Sequence, residues 1–263
     1  VDNMDMFELE KASWLDVQIA AKVGENFGSI VGPDFVRNKN GDILIDPQTG
    51  LPKYDKSNHV LGNASWDWTG GISTSLHYKN LSLSALFDIK VGADLYSMSA
   101  RAAHESGKSP ATLKGRDEWY HSEELRQEAG IPKGSSEWKP TGGFVAPGVI
   151  DNGDGTYRKN DIIINPEDYW MSVCRNAPSM FIYDNSYVKC REIVLAYQLP
   201  KKWLGKVIQD MSVSFVARNP FIVWKNIPNI DPDSNYNNTT GMGLEYGSLP
   251  SRKSYGINVN IKF

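Results

Sequence analysis

Ser254-Tyr255-Gly256-Ile257-Asn258-Val259-Asn260-Ile261-Lys262-Phe263 alternates without a break. Tyr255, Ile257, Val259, Ile261 and Phe263 fall on one face, and Gly256, Asn258, Asn260 and Lys262 on the other. A period of two marks a strand with one apolar face and one wet face. About ten residues is also the length that crosses a bilayer when the strand is tilted. In a transmembrane β-barrel the apolar set would face lipid, and Asn258, Asn260 and Lys262 would line the lumen or touch what fills it.

The same pattern recurs upstream. Trp68 to Tyr78 places Trp68, Ile72, Leu76 and Tyr78 on one face. Lys79-Asn80 makes a tight turn, and Leu81, Leu83, Ala85, Phe87 and Ile89 share the next apolar face. Alternation returns at Tyr187 to Leu199 through Ile193, Leu195, Tyr197 and Leu199, and again at Met211 to Ala217. Lys189, Arg191 and Glu192 break the phase of the third strand, which calls for a bulge or a polar upper end. Nearer the N-terminus, Trp14 to Val23 reads as a strand, and Asn40-Gly41 as a hairpin turn leading into Asp42 to Asp46.

Connections between these strands alternate in length: short at 79–80, long at 92–182, short at 200–209, long at 224–252. Bacterial barrels pair short periplasmic turns with longer extracellular loops. Within the first long connection, Ser97 to Ser106 and Arg116 to Ala129 read as helical, and Gly142-Gly143, Pro147-Gly148 and Asp151-Asn152-Gly153-Asp154-Gly155 as turns. A connection of that length is usually functional or independently structured. Tyr78, Tyr197, Trp203 and Tyr255 sit at strand ends, where amphipathic rings suit headgroup depth.

Composition excludes other classes. A net charge of −3 and the lack of any long Lys/Arg run argue against nucleic acid. No apolar run reaches the roughly 18 residues of a membrane helix, while 8 Trp, 12 Tyr and 9 Phe supply the rings a barrel girdle uses. Val1-Asp2-Asn3-Met4-Asp5 opens no signal peptide. Cys174 and Cys190 make no disulfide framework, and whether they pair is open.

Candidate sites are few. Asp151 to Gly155 and Asp231-Pro232-Asp233-Ser234-Asn235 have partial calcium-loop spacing but lack the remaining oxygen ligands and the distal Glu. Asp231, Asp233 and Asn235 are the better metal candidates, with calcium the cation they would take. Asp88, Asp94, Glu192 and Asp231 could be paired as acid and base for glycoside hydrolysis, though nothing fixes their spacing. His59, His77, His104 and His121 form no nucleophile or metal motif. No catalytic set emerges, and no enzyme is expected. Trp119, Trp138, Tyr169, Trp170 and Tyr236, in the long connections, are suited either to stack on sugar rings or to pack the loops.

These stretches resemble the C-terminal region of SusC/RagA-type TonB-dependent outer-membrane transporters. The resemblance is carried by Trp68-Thr69-Gly70-Gly71, Tyr78-Lys79-Asn80-Leu81-Ser82-Leu83-Ser84, Tyr187 to Ile193 and Leu199-Pro200-Lys201-Lys202-Trp203-Leu204. It is clearest in Arg218-Asn219, Asn229-Ile230-Asp231-Pro232-Asp233, Gly243 to Gly247, and Pro250 to Gly256 before Phe263. It covers most of the chain from about Gly24 and is weakest over 95–175. Cys190, where the family more often has Leu, and Ser65-Trp66, where Pro is usual, depart from it.

The resemblance implies an all-β chain: C-terminal strands of a large antiparallel transmembrane β-barrel, 22-stranded in the family, with long, partly helical extracellular loops. Residues 1–263 would supply about five strands, without the plug domain. The implied function is active import of nutrient oligomers, glycan oligosaccharides or peptides, across the bacterial outer membrane. The implied partners are a SusD-like surface lipoprotein acting as a lid, and the TonB complex reached through the missing N-terminal region. Phe263 would be where barrel assembly is recognised. The alternatives are a secreted carbohydrate-binding β-sandwich and a hydrolase.

Overall fold

A computed structural model describes residues 5–12, 17–235 and 239–263. Four strands, β1 (Met6–Ala12), β2 (Val17–Lys22), β3 (Ser29–Phe35) and β4 (Tyr54–Asn63), form an antiparallel meander. The expected strand from Trp14 is β2, although 14–16 lie outside the described residues. Asp42 to Asp46 is not a ladder strand: only Ile43, Leu44 and Ile45 make isolated bridges, to Arg37, Val149 and Pro52. β3 escaped sequence reading because it is buried almost throughout and so does not alternate.

β5 (Trp68–Tyr78) and β6 (Leu81–Val91) are a hairpin around Lys79, whose φ is 54°. The long connection then contains β7 (Asp94–Ser97), α1 (Met98–Glu105) and α2 (Arg116–Glu128). Next come the short strands β8 (Phe144–Val145), β9 (Val149–Asp151), β10 (Tyr157–Lys159) and β11 (Ile163–Ile164), then α3 (Pro166–Asn176) and β12 (Ile182–Asp184). β13 (Tyr187–Gln198) and β14 (Asp210–Lys225) follow, and β15 (Leu244–Glu245) precedes β16 (Ser254–Lys262).

β5, β6, β13, β14 and β16 make one antiparallel sheet in the order β16-β14-β13-β6-β5. Its register aligns the apolar residues in rows. Tyr78, Leu81, Tyr197, Val213 and Val259 form one row, and Leu76, Leu83, Leu195, Phe215 and Ile257 the next. The opposite face carries Ser75 beside Ser84, and Ser214 beside Asn258, with Asp210 opposite Lys262 at the short-turn end. The 11 residues of β5 span about 33 Å at ~3.3 Å per residue. At a tilt of ~40° that is about 25 Å, the height of a barrel's apolar band. Trp68 and Tyr78 close the two ends of its outward stripe.

Every residue of β16 is exposed, and among the described residues no second sheet covers this strand. A β-sandwich would bury one face of such a strand against a second sheet, and β16 is not buried on either face. The buried core lies instead in the long connection. Val17, Ile19 and Ile30 of the meander pack with Tyr169, Trp170 and Val173 of α3 and with Phe144, Ile150 and Phe181. The connection is therefore a folded lobe, resting on β1–β4 at one end of the wall.

The two long connections are also joined to each other. β15 lies parallel to β7, and buried Glu245 accepts hydrogen bonds from Ser97 Oγ at 2.8 Å and from Ser99 Oγ at 2.7 Å. Ser97 is at the same time the N-cap of α1, its hydroxyl accepting from the Ala100 N–H.

Candidate functional site

On the wall, β13 changes phase between Cys190 and Glu192. The register of both neighbours skips Arg191, and β14 takes up its side of the distortion at Asn219, whose φ is 47°. Below the bulge Ile193, Leu195 and Tyr197 share the outward rows. Above it Cys190 opposite Phe87 and Val188 opposite Ile89 take that face, which turns Tyr187 and Lys189 to the inner side. The bulge read from Lys189, Arg191 and Glu192 is thus real, and it brings three polar side chains together.

They hold the second long connection. Lys189, 1% exposed, donates to Asp231 at 3.1 Å, to Asp233 at 2.6 Å and to the Ser251 hydroxyl. Arg191 bridges Asp88 of β6, 3.0 Å from its Nε, and Asp233, 2.9 Å from an Nη. The Tyr187 hydroxyl donates to Asp233 at 2.8 Å, and the Ser251 N–H to Asp231 at 2.9 Å. Burial alone would raise the Asp233 carboxyl, but hydrogen bonds from Arg191, Lys189 and Tyr187 outweigh it and hold the group well below the usual carboxylate range. Burial acts on Asp231 in the same way and is outweighed by Ser251, the Asp233 N–H and Lys189.

This placement changes the metal reading. Asp231 and Asp233 are engaged by Lys189 and Arg191, and Asn235 Oδ1 accepts from the Gly243 N–H at 3.2 Å. Asp151 and Asp154 likewise accept from their own turn, at the Gly153 and Thr156 N–H groups. The acid–base set is dispersed too. Asp88 pairs with Arg191 and Glu192 with Arg218, while Asp94 accepts from the Asn63 N–H.

The lobe contains a cavity of about 550 Å³. Trp119 and Trp170, two of the aromatic candidates, line it together; Trp138 does not. Tyr236 lies outside the described residues, Tyr169 belongs to the core, and Phe263 is 72% exposed beyond β16. His104, Arg116, Gln127 and Asn165 complete much of the lining and were not singled out from sequence as binding residues.

Local sequence explains this geometry. Asn165 caps α3 by accepting the Glu167 N–H, with Pro166 at the first helical position. That sets Trp170 one turn in, where its ring lies 4.8 Å from the His104 ring. α2 starts with Asp117 and Glu118 at its positive end. It seats closely because Gly143 has no side chain: a Cβ there would come within 2.8 Å of the Ile164 carbonyl and 2.9 Å of the Trp119 indole. Gly143 also has φ 152°, which favours glycine. Arg116 ties the 107–112 turn to α2 through Thr112, at 2.9 Å to its hydroxyl.

No family model matches the chain. By sequence it is similar to two curated proteins of Formosa agariphila. TonB-dependent receptor P3 is 22% identical over 210 residues, covering 78% of this chain and 17% of the receptor. TonB-dependent receptor P26 is 21% identical over 240 residues, covering 89% of this chain and 20% of the receptor. The chain thus spans about a fifth of the length of these relatives. By fold it is similar to the RagAB peptide importer. In the open-open state the TM-score is 0.57 at 17% identity, over 99% of this chain and 24% of that one. In the closed-closed state it is 0.56 at 15% identity, over 97% and 24%. These relatives are receptors and importers rather than enzymes. The resemblance to RagA-type TonB-dependent transporters stands, and the five-stranded sheet is a stretch of antiparallel barrel wall that belongs in the bacterial outer membrane.

Proposed function

We propose that this chain is part of a TonB-energised importer of nutrient oligomers, glycan oligosaccharides or peptides. The observation that carries this reading is the two-faced wall. Apolar rows run across all five strands on one side, serines and asparagines on the other, and both long connections leave from the same end. A wall with a polar inner face suits a passage for hydrophilic cargo. In this reading the folded lobe and the 226–253 connection are extracellular, and a SusD-like lipoprotein closes over them. TonB acts through a region outside this chain. The similarity to a peptide importer keeps peptides beside glycans as cargo.

The test is uptake by the native bacterium carrying the full-length transporter. Fluorescent oligosaccharides and oligopeptides should accumulate in the periplasm only when the transporter and TonB are both present. A surface lipoprotein should copurify with the transporter. Accumulation that persists without TonB, or no accumulation of either cargo, would overturn the reading.

A further inference from the structure

The short-turn end of the wall is basic, although the chain as a whole has a net charge of −3. Lys79, Lys201, Lys202 and Lys206 stand there, and the turn from 199 to 210 holds a single carboxylate, Asp210. Asp210 is taken by the Gln198 amide and stands opposite Lys262. None of the four lysines forms a salt bridge among the described residues. We infer that this rim binds the headgroup of an anionic phospholipid in the leaflet it faces. The inference rests on the import reading only for which leaflet that is, since the short turns are periplasmic there.

The two turns are built as one surface. The Gln198 N–H donates to the Asn80 carbonyl at 2.8 Å, and Asn80 Nδ2 donates to the Gln198 carbonyl at 2.7 Å. That ties the β5–β6 turn to the start of the β13–β14 turn. The second turn then winds into a single 3-10 turn, Lys201–Trp203, closed by the Trp203 N–H on the Pro200 carbonyl. Leu204, 8% exposed, seats it, while Lys201, Lys202, Trp203, Lys206 and Val207 all remain exposed.

Three observations select the ligand. First, Lys79 is held on the lipid side. Its Nζ lies 5.4 Å from the centroid of the Tyr78 ring, and Tyr78 belongs to the outward row with Leu81 and Tyr197. Second, the lysines alternate with apolar groups. Trp203 and Val207, 63% and 72% exposed, sit in the same short turn as three ammonium groups. An ammonium at headgroup height above a ring at the acyl boundary is the arrangement that an interface favours. A free phosphate would use the lysines and leave those apolar groups in water.

Third, the charge chooses among lipids. A zwitterionic headgroup brings its own cation, which four unpaired ammonium groups would repel. An anionic headgroup brings phosphate alone, and lysine binds phosphate as a point charge that asks for no fixed geometry. Each lysine near an anionic lipid surface adds to the attraction, and groups within about 10 Å act together.

The experiment is native mass spectrometry of the full-length transporter with dioleoylphosphatidylglycerol, dioleoylphosphatidylcholine or inorganic phosphate added. Phosphatidylglycerol should be retained at roughly tenfold lower lipid concentration than phosphatidylcholine. Lys79→Gln should weaken that adduct about fivefold, and Lys201→Gln combined with Lys202→Gln about 25-fold, with phosphatidylcholine unaffected. Lys202→Arg, and Lys159→Gln in the lobe, should retain it. Heat-modifiable gel mobility checks that each variant is folded. The proposal is overturned if phosphatidylglycerol has no preference over phosphatidylcholine, or if its preference survives the lysine variants. It is overturned equally if inorganic phosphate at the same concentration displaces the lipid, which would make the rim a site for the free anion. Orientation is read separately, with Gln209→Cys in whole cells and a membrane-impermeant maleimide. Labelling from outside with the lipid preference intact would sink the orientation in the import reading and leave the site. Protection from the label without any lipid preference would sink the site and leave the orientation.

Discussion

Lys189 on the barrel wall and Asp233 in the long connection meet at 2.6 Å, with the lysine side chain only 2% exposed. This pair, together with Asp231, ties residues 42 and 44 positions further along the chain back onto β13. Removing one partner of a buried pair leaves the other charge uncompensated, at a cost of about 3 kcal/mol. Lys189→Met should therefore release the 226–253 connection while the wall stays assembled. Hydrogen exchange should show lost protection at 231–233 and 251 with β13 and β14 unchanged; undiminished protection there would contradict the fastening role.

The same pairing sets a pH dependence. Asp231 and Asp233 are both held below the ordinary carboxylate value of about 3.9. Groups depressed in the folded state add stability above their unfolded pKa and lose it as pH falls through the folded one. Docking of the connection should be constant from neutral pH to about pH 5 and weaken only below about pH 4. Protease nicking within 239–250, followed against pH, reads this directly. Asp233→Asn should give a flatter profile, and a transition near neutrality would exclude these carboxylates as its origin.

The two faces of the sheet should respond oppositely to charge. Leu195 lies at the middle of an outward row, between Leu83 and Phe215. Leu195→Arg should cost about 2–4 kcal/mol in lipid, whereas Asn258→Lys on the inner face should cost little. Unfolding in urea from lipid vesicles compares them. Equal costs would mean that the faces have been assigned wrongly.

Gly143→Ala should loosen the lobe by about 1–3 kcal/mol, because the added carbon meets the Ile164 carbonyl and the Trp119 ring and the backbone conformation favours glycine. Protection from hydrogen exchange at α2 and the thermal midpoint of tryptophan fluorescence should both fall. Unchanged values would show that α2 is not seated on this glycine.

Cys174 and Cys190 are both free and buried. Burial, and then the charge of Glu105, push the Cys174 thiol up to about 12. Neither thiol should react with maleimide in the native transporter, and reductant should not change its gel mobility. Rapid native labelling of Cys174 would place it outside the lobe core.

Much of the wall was legible in the sequence because a strand with one lipid face and one wet face must alternate, and Leu81 to Ile89 or Ser254 to Phe263 do so residue by residue. Short turns such as Lys79-Asn80 announced themselves in the same way. Strands without that constraint did not: β3 is buried almost throughout and β4 reads Asp55-Lys56-Ser57-Asn58-His59, so neither carries the signal. α3 was hidden by the polar residues around it, although Asn165-Pro166 is a helix start.

The aromatic candidates show the same division. Trp119, Trp138 and Trp170 look alike in the sequence, yet only two of them share a cavity, because its walls are residues brought together from 104 to 171. By itself the sequence determined which residues face lipid and where the chain turns, since those are set by neighbours two or three positions away. Only the tertiary structure decided what Asp231 and Asp233 are for. Their spacing suggested a cation ligand, and the cations that reach them are Lys189 and Arg191, turned inward by a bulge forty residues earlier. A carboxylate's partner is chosen by distance in space, and distance in space is what the folding of the wall supplies.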